Sequence, residues 1–504
     1  MLETAWATLR FGTSMVFNRP FHRRSLDRIM TAMRATYEEL GPITSAGGDM
    51  LGGPSLDEET RKVVQSRRFR EQAVRAARET SYYAEVFQRT GLDPRRIQFD
   101  DIASVPVTPK EALRDDPEAF VRSGARPHHR STTTGTTGWP TTVWFSDDEY
   151  HLIGVLSAIT FLNREIITPE DFVQVSISTR ARLGVHGVSF AAGAIGAVMH
   201  AAGLVSPEHT LALLSERHRL PRHKPYVSVM STYPSYLGQL IEAAREGNYQ
   251  PNDFGLERIL MGGEIITAGL ERRAQEVFGP ITLLQNYGMT ELMPFGANLC
   301  NQAHLHYEPA VGLAEFLDLE GTGRPVGADE PGVVVATPLP PFRDTTVLLR
   351  YNTEDVVRPV TGPLTCDMRR IPASTNLLGK LKLAVRHDDG WVFVRDVVEA
   401  LDSVDAVVLP ARYGFWAVPG GVAVEVVARS DDAATREAIG TALEERGVPL
   451  RDLRVITDRA DLQHPRPLRC DLREGSMAKL AEKPKAPTRK PVAQPALAGV
   501  NGRP

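Results

Sequence analysis

Between residues 172 and 285 four short apolar runs, at 172–178, 226–230, 257–261 and 281–285, alternate with helical stretches at 193–203, 234–244 and 268–278. Strand, helix, strand at this spacing builds right-handed crossovers, and so predicts a mostly parallel sheet with helices on its faces. Such a sheet binds ligands beyond the carboxyl ends of its strands. Two polar clusters follow strand ends there: Gly262-Gly263-Glu264, and Asn286-Tyr287-Gly288-Met289-Thr290-Glu291.

A chain of 504 residues exceeds one core, so further units are expected. Residues 1–60 read as an N-terminal extension, interrupted by a glycine-rich stretch at 45–54. Residues 61–378 read as the large domain, with a β-rich part at 309–360 whose strands, at 315–319, 332–337 and 346–351, are set off by Gly/Pro turns. Residues 379–480 read as a small domain built on a strand at 422–428, a helix at 433–446 and a strand at 453–457. The tail, 481–504, rich in Pro, Lys and Ala, has too little apolar material to pack. The fold class is therefore α/β, a large N-terminal domain with mostly parallel sheets and a β-rich subdomain, followed by a small α+β C-terminal domain.

A net charge of -4 gives no reason to expect nucleic acid or an acidic membrane as partner, and no apolar run is long enough to cross a bilayer. Three cysteines, Cys300, Cys366 and Cys470, fit a reducing compartment better than a disulfide framework. The first residues lack the basic-then-apolar order of an export signal, so a cytoplasmic protein is expected.

Upstream of the sheet lies Ser131-Thr132-Thr133-Thr134-Gly135-Thr136-Thr137-Gly138-Trp139-Pro140. Its hydroxyls and free backbone N–H groups suit an oxyanion such as phosphate, although neither a Walker motif nor a dinucleotide fingerprint is present. A hydroxyl-rich surface loop has the same composition.

Taken in order, the Thr133–Gly138 stretch, Gly262-Gly263-Glu264, Tyr287-Gly288-Met289-Thr290-Glu291 and Arg350-Tyr351-Asn352-Thr353-Glu354-Asp355 resemble the core motifs of adenylate-forming enzymes. The upstream stretches Tyr82-Tyr83-Ala84-Glu85 and Val105-Pro106-Val107-Thr108-Pro109-Lys110 resemble the phenylacetate–CoA ligase branch. The resemblance implies an AMP-forming ligase that joins a small carboxylic acid, aromatic or bulky, to ATP and passes the acyl group to CoA or another nucleophile, with a small C-terminal domain that is mobile relative to the large one. It implies that Thr133, Thr134, Gly135, Thr136, Thr137 and Gly138 hold phosphates, with Gly262, Gly263, Glu264, Asn286 and Gly288 around the nucleotide. Tyr287 would stack on adenine, Asp355 would accept from the ribose, Glu291 would hold Mg²⁺, and Thr290, Glu291 and Arg469 would act in catalysis. Members of the branch also suggest a structural zinc on Cys300, His306 and Cys366, with His304 as candidate fourth ligand; buried free cysteines are the commoner outcome. A homodimer is left open.

The departures are specific. Trp139 stands where the loop usually carries lysine, leaving Arg130 or Lys110 to supply a cation. The hinge reads Lys380-Leu381-Lys382 instead of Gly-Arg and paired acids. The catalytic lysine near the C-terminus has no clean counterpart in His464-Pro465-Arg466-Pro467-Leu468-Arg469-Cys470, and Lys479 lies beyond it. Two alternatives follow: a degenerate relative that binds nucleotide or adenylate without forming a thioester, and an enzyme that adenylates a different oxyanion for a non-CoA acceptor. The acid pocket is expected between residues 193–203, the strand end near Tyr233 and the residues around Gly262 and Tyr287, and Ala191, Ala192, Gly193, Ala194, Gly196 and Ala197 could leave room for a ring or simply pack closely.

Overall fold

The structure is a computed structural model and describes residues 2–41, 57–133, 140–388 and 390–471. The stretch 45–54, Thr134, Gly135, Thr136, Thr137, Gly138 and Trp139 of the hydroxyl-rich loop, Lys479 and the tail 481–504 lie outside the described residues.

The chain begins as a helical hairpin, α1 (Leu2–Phe17) and α2 (Arg23–Leu40), which lays Leu26 and Met30 on the main core. Helix α3 (Glu58–Glu79) starts where Asp57 accepts the Thr60 N–H, and it buries Phe69, Ala73 and Ala76. Helices α4 (Ser81–Thr90) and α5 (Lys110–Asp115) follow. Strands β1 (His129–Thr132) and β2 (Thr142–Phe145) then pair antiparallel, so the hydroxyl-rich loop caps a hairpin whose last register pair is Thr132 and Thr142.

Helix α6 (Asp147–Asn163) opens with a capping box between Ser146 and Glu149 and leads to the sheet. Strands β3 (Phe172–Val175), β4 (Val198–His200), β5 (Val229–Thr232), β6 (Arg258–Met261) and β7 (Thr282–Gly288) are parallel, in the order β4-β3-β5-β6-β7. Their connections carry α7 (Arg182–Ile195), α8 (Pro207–Ser215), α9 (Pro234–Glu246) and α10 (Ala268–Phe278). Past β7 the same sheet turns antiparallel through β8 (Gly296–Leu299) and β9 (Leu305–Tyr307).

Strands β10 (Gly312–Leu317), β11 (Gly332–Pro338) and β12 (Tyr351–Val357) form a second, antiparallel sheet. Strands β13 (Pro359–Val360) and β14 (Ala373–Ser374) finish the first sheet, and β15 (Gly379–Lys380) pairs with β12 in the second. A hairpin of β16 (Val385–His387) and β17 (Gly390–Val392) leads into α11 (Val394–Ser403), β18 (Tyr413–Val418), β19 (Gly421–Val427), α12 (Ala433–Glu445) and β20 (Leu450–Ile456). The last four build a three-stranded sheet in which β19 and β20 are parallel, as the strand, helix, strand pattern requires. Val397, Leu401, Val424, Ile439 and Leu443 form a core of their own, separate from the main one.

Two expected elements move. The helix read at 193–203 is α7, which ends at Ile195 because Gly196, at φ 102°, closes it with an N–H bond to the Ala192 carbonyl. Residues 198–200 instead form the edge strand β4. The strand read at 346–351 is shifted to β12. Its expected N–H groups bond elsewhere, Val347 to the Phe120 carbonyl and Arg350 to the Thr337 hydroxyl.

Candidate active site

The carboxyl ends of β5, β6 and β7 open into a cavity of about 500 Å³, which the second sheet and the small domain close from the other side. Thr133, Gly262, Gly263, Glu264, Asn286, Tyr287, Gly288, Thr290, Glu291, Asp355 and Arg469 all line it, so residues separated by more than 300 positions meet at one place.

Glu291 is buried, and the first residue of α5 comes to it: Lys110 Nζ lies 3.2 Å from Glu291 Oε1, to which the Tyr351 hydroxyl also donates at 3.2 Å. Burial works against the charge on Lys110. Glu291, Asp355 and Glu354 outweigh it and hold the ammonium above its ordinary pKa. A fixed cation therefore stands at the hydroxyl-rich hairpin, whose Thr133 and Thr132 share the cavity wall. Tyr351 itself is pushed well above the ordinary phenol by burial and by Glu291, so it stays a donor.

Asp355 sits on β12 with both carboxylate oxygens engaged. Lys380 Nζ is 2.9 Å from Oδ1, and the Tyr287 hydroxyl donates to Oδ2 at 3.0 Å. The pairing of β12 with β15 sets Asp355 directly opposite Lys380. Lys380 also donates to the Thr353 carbonyl at 2.8 Å, and Lys382 pairs with Glu354 at 3.3 Å. Burial lowers the Lys380 pKa in spite of Asp355. The residues read from sequence as a charged hinge are thus the counter-ions of the acids on β12. The Tyr287 ring is buried, and its phenol is raised well above the ordinary value by burial and then by Asp355.

The third cluster joins the two domains. Glu264 Oε2 accepts the Ser235 N–H at the start of α9 (2.9 Å), while Oε1 accepts the Arg469 N–H (2.6 Å). Arg469 Nε donates to the Gly263 carbonyl at 2.8 Å. Gly263 takes φ 83°, and a Cβ there would lie 2.6 Å from Arg469 Nε, so conformation and close approach both require glycine. Cys470, whose thiol burial pushes up to about 11, donates its N–H to the Ser235 hydroxyl.

Helices α6 and α7 supply the remaining wall through Ser157, Phe161, Leu183, Gly184, Gly187 and Val188, none of them charged. The space expected at Gly193, Ala194, Gly196 and Ala197 lies instead two turns earlier, at Gly184 and Gly187, because α7 begins at Arg182; the later small residues do not line the cavity.

Away from the cavity, Cys300, His304, His306 and Cys366 bring one donor atom each within 4.8 Å of one another. Nδ1 of His306 donates to the Ile371 carbonyl at 2.9 Å, which leaves Nε2 facing Cys366 Sγ at 3.3 Å. Nδ1 of His304 is buried without a partner among the described residues. Two thiolates and two imidazoles in a compact tetrad fit a closed structural zinc.

Sequence reasoning named most of this site, the strand end near Tyr233 included, but gave no role to Tyr351 or to Lys380 as partner of Asp355. Their roles come from strand register and cavity shape, which leave no local motif.

The family profile described as AMP-binding enzyme matches residues 131–337. The phenylacetate-coenzyme A ligase of Thermus thermophilus is 24% identical over 366 residues, covering 70% of this chain and 76% of its own. In fold, the chain is similar to 2-hydroxyisobutyryl-CoA ligase in the postadenylation state with 2-HIB-AMP, at TM-score 0.68 and 18% identity over 82% of this chain and 89% of that one. It is similar also to the same ligase in the thioesterification state with 2-HIB-AMP and CoA, at TM-score 0.57 and 19% identity over 81% and 89%. With the ordered motifs gathered at the strand ends of one sheet, these likenesses give the chain the AMP-binding domain of adenylate-forming enzymes, similar to the phenylacetate–CoA ligase branch, and make it an AMP-forming ligase.

Proposed function

We propose that the protein activates an aromatic or otherwise bulky apolar carboxylic acid with ATP and passes the acyl group to CoA. The observation that carries this reading is the single cavity in which an uncharged wall from α6 and α7 meets Gly262–Glu264, Asn286–Glu291, Asp355 and Lys110. In this reading the acid lies against α7, the adenine beside Tyr287 and the ribose at Asp355, whose carboxylate Lys380 and Tyr287 already orient. Thr133, with Lys110 in place of the missing loop lysine, faces the phosphates. Glu291 fits a hard cation, as a buried carboxylate with Oε1 held by Lys110 and Tyr351, and would hold Mg²⁺ with phosphate oxygens completing the shell. When bound, the metal supplies charge neutralisation for the leaving pyrophosphate. The chain itself contributes position and positive charge: Lys110 on the phosphate side and Arg469 beside Gly263.

Pyrophosphate release with a panel of acids, with and without CoA, tests the reading. Release that depends on an apolar acid, followed by loss of free CoA thiol, is expected; no release with any acid overturns it. One observation favours a different acceptor. Residues 463–471 contain no lysine, and Arg469 occupies the cavity with both its backbone and its side chain bound. Release that is acid-dependent yet indifferent to CoA would support that second reading. We also propose a structural zinc on Cys300, His304, His306 and Cys366.

A further inference from the structure

Tyr233 follows β5 directly, precedes α9 and lines the cavity at 5% exposure. The Arg469 guanidinium lies over its ring, 5.7 Å from the centroid. Its hydroxyl proton has no acceptor among the described residues; the Ser178 backbone lies near the oxygen as a donor and leaves that proton undirected. The neighbouring buried tyrosines behave otherwise. Tyr236 bonds the Val205 carbonyl, Tyr287 bonds Asp355, Tyr307 bonds Ser374 and Tyr351 bonds Glu291. A buried phenol whose proton has no acceptor is costly, and a cavity wall is where such a cost is repaid by a ligand.

What that ligand offers follows from the walls. The uncharged face from α6 and α7 includes one hydroxyl, Ser157, which already donates to the Ile153 carbonyl at 2.8 Å. Gly187 lets α7 pack closely on α6 here, since a Cβ there would stand 3.0 Å from Ser157 Oγ. A group bound in this cavity meets that apolar surface and the undirected O–H of Tyr233.

We infer that Tyr233 donates a hydrogen bond to the acyl part of the substrate. The acid taken therefore carries an oxygen acceptor, as a hydroxyl, ether, carbonyl or nitro group, on an otherwise apolar body, and Tyr233 determines that preference. The inference rests on the proposed ligase reading, because it takes this cavity as the acid site. A polar acceptor aimed at a buried donor discriminates more sharply than an added methylene does, since the unsubstituted analogue leaves the donor unpaired.

The experiment compares matched acids, benzoate and phenylacetate against their hydroxy-, methoxy- and nitro-substituted forms, by kcat/KM for pyrophosphate release in wild type and Tyr233→Phe. Phenylalanine keeps the ring under Arg469 and removes only the hydroxyl. In wild type the substituted member of at least one pair is preferred by roughly 10- to 100-fold. In Tyr233→Phe that ratio falls to near one, the substituted acid losing far more than the plain one, with the melting temperature preserved. Turnover without preference in wild type, or an equal loss for both acids in Tyr233→Phe, overturns the inference alone. No release with any acid overturns the ligase reading and this inference with it.

Discussion

The salt bridge between Lys110 and Glu291 makes the two residues one unit, and substitutions at either must be read as such. Glu291→Gln is expected to lower pyrophosphate release by about 100-fold or more, since a hard cation loses its charged ligand. It should also cost roughly 1–3 kcal/mol of stability, because the Lys110 ammonium is left in a nearly closed site without its counter-charge. Lys110→Met added to Glu291→Gln removes that stranded charge, so thermal unfolding should recover while activity stays low. Wild-type turnover in Glu291→Gln would refute the metal assignment. Arg469→Ala is expected to slow adenylation by about 10- to 100-fold and to spare equilibrium ATP binding, because its Nε is already tied to the Gly263 carbonyl. A variant that weakens ATP binding as much as rate would move Arg469 to the nucleotide site.

At the scale of elements, the joint between α10 and α11 gives the small domain a titratable contact. Thr267, the N-cap of α10, donates its hydroxyl to Asp402 Oδ2 at 2.6 Å, and the Ala268 N–H donates to Glu399 Oε1 at 2.7 Å. The helices touch backbone to backbone, for a Cβ on Gly269 would collide with the Asp402 carbonyl. Burial pushes Asp402 up to about 7 against the opposing pull of the Thr267 hydroxyl and Arg273, with Glu399 adding to the rise. Ionising Asp402 is therefore harder in the docked joint than in separated domains, where the carboxyl has its ordinary value. Docking is strongest at acid pH, weakens as pH rises through the span from the ordinary carboxylate value to about 7, and levels off above it. Energy transfer between dyes on the two domains should follow that slope, and Asp402→Asn should flatten it; a pH-independent signal in wild type would refute the joint's role. The cysteine and histidine tetrad under β8 and β9 makes an independent prediction. Purified protein should carry about one zinc per chain, and Cys366→Ser should lose it. Zinc-free protein of full stability would leave these residues as buried thiols and imidazoles.

Across the whole molecule, sequence order was most legible where function and fold share a local signal. The helix at 268–278 has the expected bounds because Thr267 caps it and Gly279 ends it. The strand, helix, strand rhythm likewise implies the parallel half of the large sheet. The antiparallel half, the register that sets Asp355 opposite Lys380, and the position of Arg469 over Gly263 depend on contacts between distant segments, which no window of sequence encodes. The same long-range contacts decide where the small domain can be removed. A cut before Gly379 would strip β15 from the second sheet, leave Asp355 without Lys380 and take Leu381 and Ala384 from the cluster of Val333, Val356 and Leu378, which loses Phe393 to either cut. A cut after Ala384 keeps β15 and Lys380 and removes the separate core around Val397, Val424 and Ile439 together with Arg469. The protein ending at Ala384 is therefore expected to stay folded by circular dichroism and to retain Mg²⁺-dependent ATP binding. Its adenylation should fall by about 100-fold or more, since both the Glu264 clamp on Arg469 and the cation beside Gly263 are gone. Acyl transfer by this truncated protein at the rate of the full chain would show that the small domain takes no part in the catalytic cycle.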